Sequence, residues 1–305
     1  MLKGRSLKYG STIGIIAPAS PEDRSIIDKK VEVFTNLGFK VKLGDHLYDR
    51  YGHLAGSDSN RGNDLTNMFL DDSVDGIIAF RGGYGSIRTL PYIDSKIIKK
   101  NPKFFCGFSD ITLLLNHFSS LGLITFHGPM INSDFNDEVT LKSFLDISSH
   151  SKRDYCYNLI NFNNISFVHP SSFSGRIVGG NLSIICSSIG TPYEIDTRDS
   201  ILLIEEVNES PYAIDRMLTQ LINSNKFHRC NGIIIGHLTG CELSNYSRSF
   251  TLEQVIYDRL KPLKIPLIIG FPFGHSYPNI TIPIGSKAYF SHEDMKLTIK
   301  DSFLL

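Results

Sequence analysis

The chain has no surplus of charge: its 31 basic and 31 acidic residues cancel, and the sequence pI is about 7.1. A balanced chain has no electrostatic footprint for DNA, RNA or an anionic membrane. The partners it leaves are a small molecule or a second copy of itself. Paired cysteines are also missing. The five present, Cys106, Cys156, Cys186, Cys230 and Cys241, are odd in number and form no C-x-x-C. They read as buried thiols of a reducing compartment, not as disulfides or a zinc site. No spacing of His, Asp and Glu suggests a metal, and no motif asks for a cofactor. Nor does any stretch approach the roughly 18 apolar residues of a membrane span. Ile13 to Ala19, preceded by Lys3, Arg5 and Lys8, resembles a signal peptide with an A-x-A cleavage site, but it is too short and makes a good first core strand. The expectation is a soluble, cytoplasmic protein. Internal repeats and low-complexity tracts are absent.

What is present is enough apolar material for two cores, with 305 residues that are 41% hydrophobic. Two domains are therefore expected. In the first half, strand and helix signals alternate. Thr12 to Ala17 is an apolar strand, and Ser20-Pro21-Glu22-Asp23 offers an N-cap, a proline at the first helical position and acids in the first turn. Ile26, Ile27, Val31, Phe34 and Leu37 follow at helical spacing, closed by Gly38. Strands are expected at 40–43 and 76–80 and around Cys106, with helices around 64–70 and 88–90. Continuous apolar strands separated by helices predict an α/β fold, a mostly parallel sheet with helices on both faces. In such a sheet the loops at the carboxyl ends of the strands form the ligand crevice. From Ser148 to Ser172 the periodicity is lost, and a smaller α/β domain opens at Ser174-Gly175-Arg176. The expected division is an N-terminal domain over 1–155, a linker over 156–172 and a C-terminal domain over 173–305. In the last of these, Ile201 to Ile204 is a buried strand ending at Glu205-Glu206, and Ser210-Pro211 starts a helix whose Ile214, Met217, Leu218, Leu221 and Ile222 are core. Gly232 to Gly236 and Pro266 to Gly270 are further strands.

One pentad points to chemistry. Gly107-Phe108-Ser109-Asp110-Ile111 joins an apolar strand to an apolar helix, a turn that presents a hydroxyl above the sheet and aims the first helix amides beside it. The spacing is not G-x-S-x-G, and a serine at a helix start is ordinarily just an N-cap. Serine chemistry also needs a base and an anion to orient that base. His275, in a Pro/Gly loop after an apolar strand, is the preferred base, although a water-facing turn histidine fits the local sequence as well. Glu205, at the end of its strand, is the candidate anion; it could equally cap the next helix or pair with Arg216. Glu206 points to the opposite face, so at most one of the two meets the histidine. Arg81-Gly82-Gly83-Tyr84-Gly85 lacks the Lys-Ser/Thr of a P-loop and the third glycine of G-x-G-x-x-G. Its better use is an oxyanion site in which the Gly83 and Asp110 amides donate to one oxygen. His117, His127 and His237 read as core or loop histidines. Arg81 and Arg88 are cations close to this loop in sequence, and structural or solvent-facing roles are open to both.

Taken together these blocks resemble a known family. Ile13 to Ser20, Arg81-Gly82-Gly83-Tyr84-Gly85, Gly107-Phe108-Ser109-Asp110, Gly179-Gly180-Asn181-Leu182, Ile204-Glu205-Glu206, Pro211 to Leu218 and Gly270 to His275 stand in the order and spacing of the LD-carboxypeptidases. That family includes muramoyl-tetrapeptide carboxypeptidases and microcin self-immunity peptidases, and the resemblance covers essentially the whole chain. It implies a metal-free serine peptidase with Ser109 as nucleophile in the N-terminal domain and Glu205 and His275 from the C-terminal domain, the active site lying at the domain interface. It further implies a cytoplasmic protein, often a homodimer, that releases D-alanine from a murein tetrapeptide during cell-wall recycling. The alternatives are an aminoacyl-nucleotide antibiotic as substrate, another serine hydrolase such as an esterase, or a non-catalytic small-molecule binding protein of the same fold. Two positions depart from the pattern: Glu206 stands where many relatives have Asp, and Ser276 where glycine is common.

Overall fold

The computed structural model describes residues 1–150 and 154–305; residues 151–153, inside the span expected for the N-terminal domain, lie outside them. The chain forms two compact units. The first is an α/β unit on a sheet of six strands: β1 (Thr12–Ile16), β2 (Lys40–Leu43), β3 (Gly76–Ala79), β4 (Phe104–Gly107), β5 (Thr125–His127) and β12 (Ile282–Ile284), in the order β12-β5-β4-β3-β1-β2. All neighbours are parallel except β12, which runs antiparallel to β5. The connecting helices are α1 (Arg24–Asn36), α2 (Asp58–Leu70), α3 (Ser95–Lys100), α4 (Thr112–Ser120) and α5 (Glu138–Ser149). β3 and β4 are buried along their whole length, as strands covered on both faces must be.

β12 shows that this unit is not a continuous N-terminal segment. Ile280–Gly285 and Ser302–Leu305 belong to it, although the sequence places them in a C-terminal domain over 173–305. The reason is edge protection. Ile282 and Ile284 pair with His127 and Thr125. The last residues exchange backbone hydrogen bonds with the first, Ser6 N to Leu305 O at 3.2 Å and Leu305 N to Gly4 O at 2.9 Å, and Phe303 is buried against Phe126. Pairing over such a sequence distance leaves no local signal.

The second unit, Asp154–Asn279 with Ser286–Asp301, is built on eight strands. They are β6 (Tyr155–Asn158), β7 (Ser166–Val168), β8 (Phe173–Asn181), β9 (Ser200–Val207), β10 (Gly232–Thr239), β11 (Leu267–Ile269), β13 (Lys287–Ser291) and β14 (Lys296–Ile299). Their order is β6-β14-β13-β8-β9-β10-β11-β7; β8 to β11 are parallel and the outer pairings antiparallel. The stretch 156–172, read from sequence as a linker, therefore carries two edge strands. They are three and four residues long, too short for a period to show. Cys156 lies on one of them and is exposed, against the expectation of a buried thiol; the other four cysteines are buried and all five are free.

Three helices complete this unit: α6 (Leu182–Ser188), α7 (Pro211–Asn223) and α8 (Leu252–Leu260). Their Ile185, Leu218, Leu221, Val255 and Leu260 pack with Leu202, Ile204, Ile233 and Ile235 of β9 and β10 into one core. α7 begins as its sequence requires, with Ser210 at the N-cap and Pro211 at the first position, where a missing N–H costs nothing. Among the described residues no helix is long and apolar enough to cross a membrane.

Candidate active site

In the first unit the site grows from the carboxyl end of the sheet. β4 ends at Gly107, Phe108 is extended at φ −153°, and a 3-10 turn over Ser109–Ile111 leads into α4. Ser109 itself has φ +62°. A left-handed backbone at a residue with a side chain costs about 1–2 kcal/mol, and such strain concentrates where a fold must aim a side chain. This is the strand–turn–helix posture of a nucleophilic serine, and it separates Ser109 from an ordinary N-cap, whose backbone is extended. The turn is further compressed by Gly107, where an added Cβ would meet Ile111 at 2.8 Å.

The glycine loop after β3 closes over this turn. A Cβ built on Gly82 would stand 2.8 Å from Ser109 Cβ, 3.0 Å from its Oγ and 3.3 Å from the Asp110 amide nitrogen, so only a residue without a side chain lets the loop lie there. The next residue, Gly83, has φ +112° and meets Ser20 instead, its added Cβ falling 2.2 Å from Ser20 Oγ. Gly82, Gly83, Ser109 and Asp110 thus form one cluster. Asp110 ties the loop to the turn with its side chain as well. Its carboxylate accepts from the Ser86 amide at 2.8 Å, and its carbonyl from Ser86 Oγ at 2.7 Å. Burial pushes the Asp110 carboxyl above its usual range, against the hydrogen bonds from Ser86 and Gly85 and the charge of Arg61.

Three residues around this cluster have partners that the sequence does not show. Arg61, only 2% exposed, donates to the Pro18 carbonyl, to the Gly85 carbonyl at 2.9 Å and to Asp58 at 2.5 Å, joining the loops after β1 and β3. Ser86 is the Asp110 partner. Ser20 was expected to cap α1, but that helix starts at Arg24 with Asp23 as its N-cap. Ser20 is held elsewhere: its Oγ accepts from the Tyr84 amide at 3.2 Å and its amide donates to the Gly82 carbonyl at 3.3 Å. Residues 20–23 precede the helix instead of opening it, and nothing local reveals the Tyr84 partner. Arg81 pairs with Glu22 at 2.7 Å and Arg88 with Asp58 at 3.0 Å.

In the second unit, β9 runs through Glu205 and Glu206, and the strand period separates them. Glu206 shares its face with Leu202 and Ile204 and accepts from Asn181 Nδ2 at 2.8 Å and from the Ser183 amide at 2.7 Å. Glu205 faces the other way and accepts from His275 Nδ1 at 2.6 Å. The expectation that only one acid reaches the histidine holds for this pair, but Glu205 is fully buried where the sequence suggested partial solvation. Neither a pairing with Arg216 nor a helix cap is the role it plays. Burial raises its carboxyl above the ordinary range, opposed mainly by the hydrogen bond and charge of His275, with a smaller contribution from Asn181.

The His275 loop is shaped for this contact. Gly274 has φ +111°, and a Cβ there would stand 2.7 Å from Glu205 Oε2; its amide donates to the buried Asn279 Oδ1 at 3.0 Å. With Nδ1 bound to a carboxylate, a neutral imidazole keeps its proton on that nitrogen and leaves Nε2 as the basic one. The ring is 17% exposed against 0% for the acid. Of the other histidines, His127 is buried in β5 and His237 Nε2 lies 2.9 Å from the Pro278 carbonyl. Among the described residues no group of three or more His, Cys, Asp and Glu could hold a metal ion.

Residues 13–128 match the LD-carboxypeptidase N-terminal domain and residues 174–290 the LD-carboxypeptidase C-terminal domain. A probable murein peptide carboxypeptidase of Bacillus subtilis is 40% identical over 291 residues, spanning 94% of this chain and 90% of that protein. The chain belongs to the LD-carboxypeptidase family. Among solved structures of that kind, the muramoyltetrapeptide carboxypeptidase of Oxalobacter formigenes matches with a TM-score of 0.84 at 28% identity, over 96% of this chain and 99% of that one. The microcin C7 self-immunity protein MccF, 28% identical in its Escherichia coli form over 90% or more of both chains, matches in its wild-type apo state with a TM-score of 0.91 over the full length of both. The two-unit α/β fold is that of the family.

Proposed function

We propose that this protein is a serine LD-carboxypeptidase that hydrolyses the amide between an L-centre, lysine or diaminopimelate, and the terminal D-alanine of a murein tetrapeptide. The observation that carries the reading is the left-handed backbone of Ser109 between β4 and α4, with the hydrogen bond between buried Glu205 and partly exposed His275 supporting it. In the reaction His275 Nε2 takes the Ser109 proton as Oγ attacks the scissile carbonyl carbon. The Gly83 and Asp110 amides stabilise the tetrahedral oxyanion. The imidazolium, balanced by Glu205, then gives its proton to the departing D-alanine nitrogen and the C–N bond breaks. Water repeats the sequence through His275, and the acyl–Oγ bond breaks to return the serine and the shortened peptide acid. The same proposal includes a cytoplasmic homodimer, for which the free cysteines and balanced charge are the support.

Mass analysis after incubation with a tetrapeptide ending in L-lysyl-D-alanine is expected to show loss of one alanine, at least about tenfold faster than from the L-alanyl epimer. Equal rates would indicate a serine hydrolase indifferent to the terminal centre, and no release by folded protein a binding protein of the same fold. The second reading, cleavage of an aminoacyl-nucleotide antibiotic, has the MccF likeness behind it. It ranks lower because identity to MccF is 28% against 40% to the murein peptide carboxypeptidase.

A further inference from the structure

We propose that Ser20 reads the terminal carboxylate of the substrate by donating its hydroxyl proton to it, which makes Ser20 the residue that restricts this enzyme to chain ends. The inference rests on the carboxypeptidase reading and adds what that reading leaves open, since hydrolysis of an amide does not by itself require a free acid beyond it.

The first observation is the hydrogen-bond account of the hydroxyl. Ser20 Oγ accepts from the Tyr84 amide at 3.2 Å, and among the described residues no acceptor is recorded for its own proton. A hydroxyl carries one donor and two acceptor sites, so the Tyr84 bond orients the oxygen and leaves the proton to be given. Ser20 is half-buried, and the backbone around it is pinned on three sides. Pro18 O accepts from the buried Arg61, Ala19 O from the Ala55 amide at 2.9 Å, and the Ser20 amide donates to Gly82 O at 3.3 Å. A donor held this firmly loses little freedom when it meets a ligand.

The second observation is register. Gly82 lies against Ser109, and Gly83 lies against Ser20. The two serines therefore flank adjacent residues of one short loop, whose Cα atoms are about 3.8 Å apart. In the substrate, the attacked carbonyl and the terminal carboxylate are separated by the same unit, the backbone of a single residue. A D-alanine whose scissile carbonyl stands at Ser109 thus has its carboxylate one backbone step away, the step that separates the Ser109 side of the loop from the Ser20 side. The nearby cation does not do this work alone, because Arg81 is paired with Glu22 at 2.7 Å.

Hydrogen bonds to a charged group are worth enough to set a preference of about tenfold to a hundredfold. The test compares kcat/KM on a tetrapeptide ending in L-lysyl-D-alanine with that on the same peptide ending in D-alaninamide, for the wild-type chain, Ser20→Ala and Ser20→Asp. The wild type is expected to prefer the free acid. Ser20→Ala should fall at least about tenfold further on the acid than on the amide, chiefly through KM. Ser20→Asp can still accept from the Tyr84 amide but sets a carboxylate against a carboxylate, so it should favour the amide. Equal losses on both substrates in the two variants would mean that Ser20 only braces the glycine loop, and would overturn the inference while leaving the carboxypeptidase intact. Should Ser20→Ala fail to fold, the Ser20→Asp preference decides by itself: reversal supports the inference and an unchanged preference for the acid defeats it. Wild-type protein that releases no D-alanine would remove the carboxypeptidase reading and this inference together.

Discussion

Ser109→Ala is expected to lower kcat for D-alanine release by on the order of 10⁴-fold or more, with KM changed little. That corresponds to about 5–6 kcal/mol of barrier. In the proposed mechanism the residue contributes through the covalent step, and substrate contacts elsewhere survive its removal. Folding should be almost indifferent to the change. Ser109 has φ +62°, and alanine pays about the same penalty there as serine, so the melting temperature should stay within a few degrees of the parent. A variant that melts normally and still turns over at the parent rate would leave the strained turn without its purpose. The Gly82 contact gives the prediction a second side. The loop approaches Ser109 so closely that even a methyl at 82 would meet its Cβ at 2.8 Å; the small alanine at 109 leaves that approach undisturbed, whereas a bulkier replacement would lose activity through the loop too.

Glu205→Gln should have the next largest effect on rate and the opposite effect on stability. The amide oxygen can still accept from His275 Nδ1, but the negative charge that balances the imidazolium in the transition state is gone, and a tautomer with the proton on Nε2 becomes accessible. Losses on the order of 10³-fold to 10⁴-fold in kcat are expected. Stability follows from the sign of the shift. The folded Glu205 carboxyl titrates above its ordinary range because it is wholly buried, so between the unfolded value near 4.5 and the higher folded value the native state binds the extra proton. The group's contribution to stability therefore falls as pH rises through that window and stays low at neutral pH. Glutamine is neutral throughout. The variant should match or exceed the parent's stability at pH 7, and its advantage should shrink as pH falls through that window and be smallest below about 4.5, the ordinary carboxyl value. Denaturant melts at several pH values would measure it. A variant less stable than the parent at pH 7 would mean that the His275 contact outweighs the burial cost.

The sequence made the parallel sheet legible because β1, β3 and β4 are continuous apolar runs bounded by turn residues, and it made Glu205 legible because a two-residue period puts Glu205 and Glu206 on opposite faces. The Ser109 turn could be read from a strand abutting a helix, although its positive φ could not. What escaped was set by distance. β12 joins a sheet whose other strands end at residue 127, and no local pattern says that Ile282 pairs with His127. The strands β6 and β7 are too short to carry a period. Ser20 looked like a helix cap because Ser-Pro-Glu-Asp carries that signal locally; its hydroxyl binds Tyr84, sixty-four residues away. Arg61 sits in a helix as a charged residue normally would on a solvated face, and only the fold reveals two loop carbonyls waiting for it.

The central claim is that Ser109 is the atom source of a covalent acyl-enzyme, and peptide mapping after reaction with a serine-directed phosphonate tests it most directly. The account predicts one adduct per chain, on the peptide containing Ser109, formed slowly or not at all in His275→Ala and blocked by excess tetrapeptide. An adduct on Ser20 or another serine, or no adduct on folded protein that is releasing D-alanine, would contradict it.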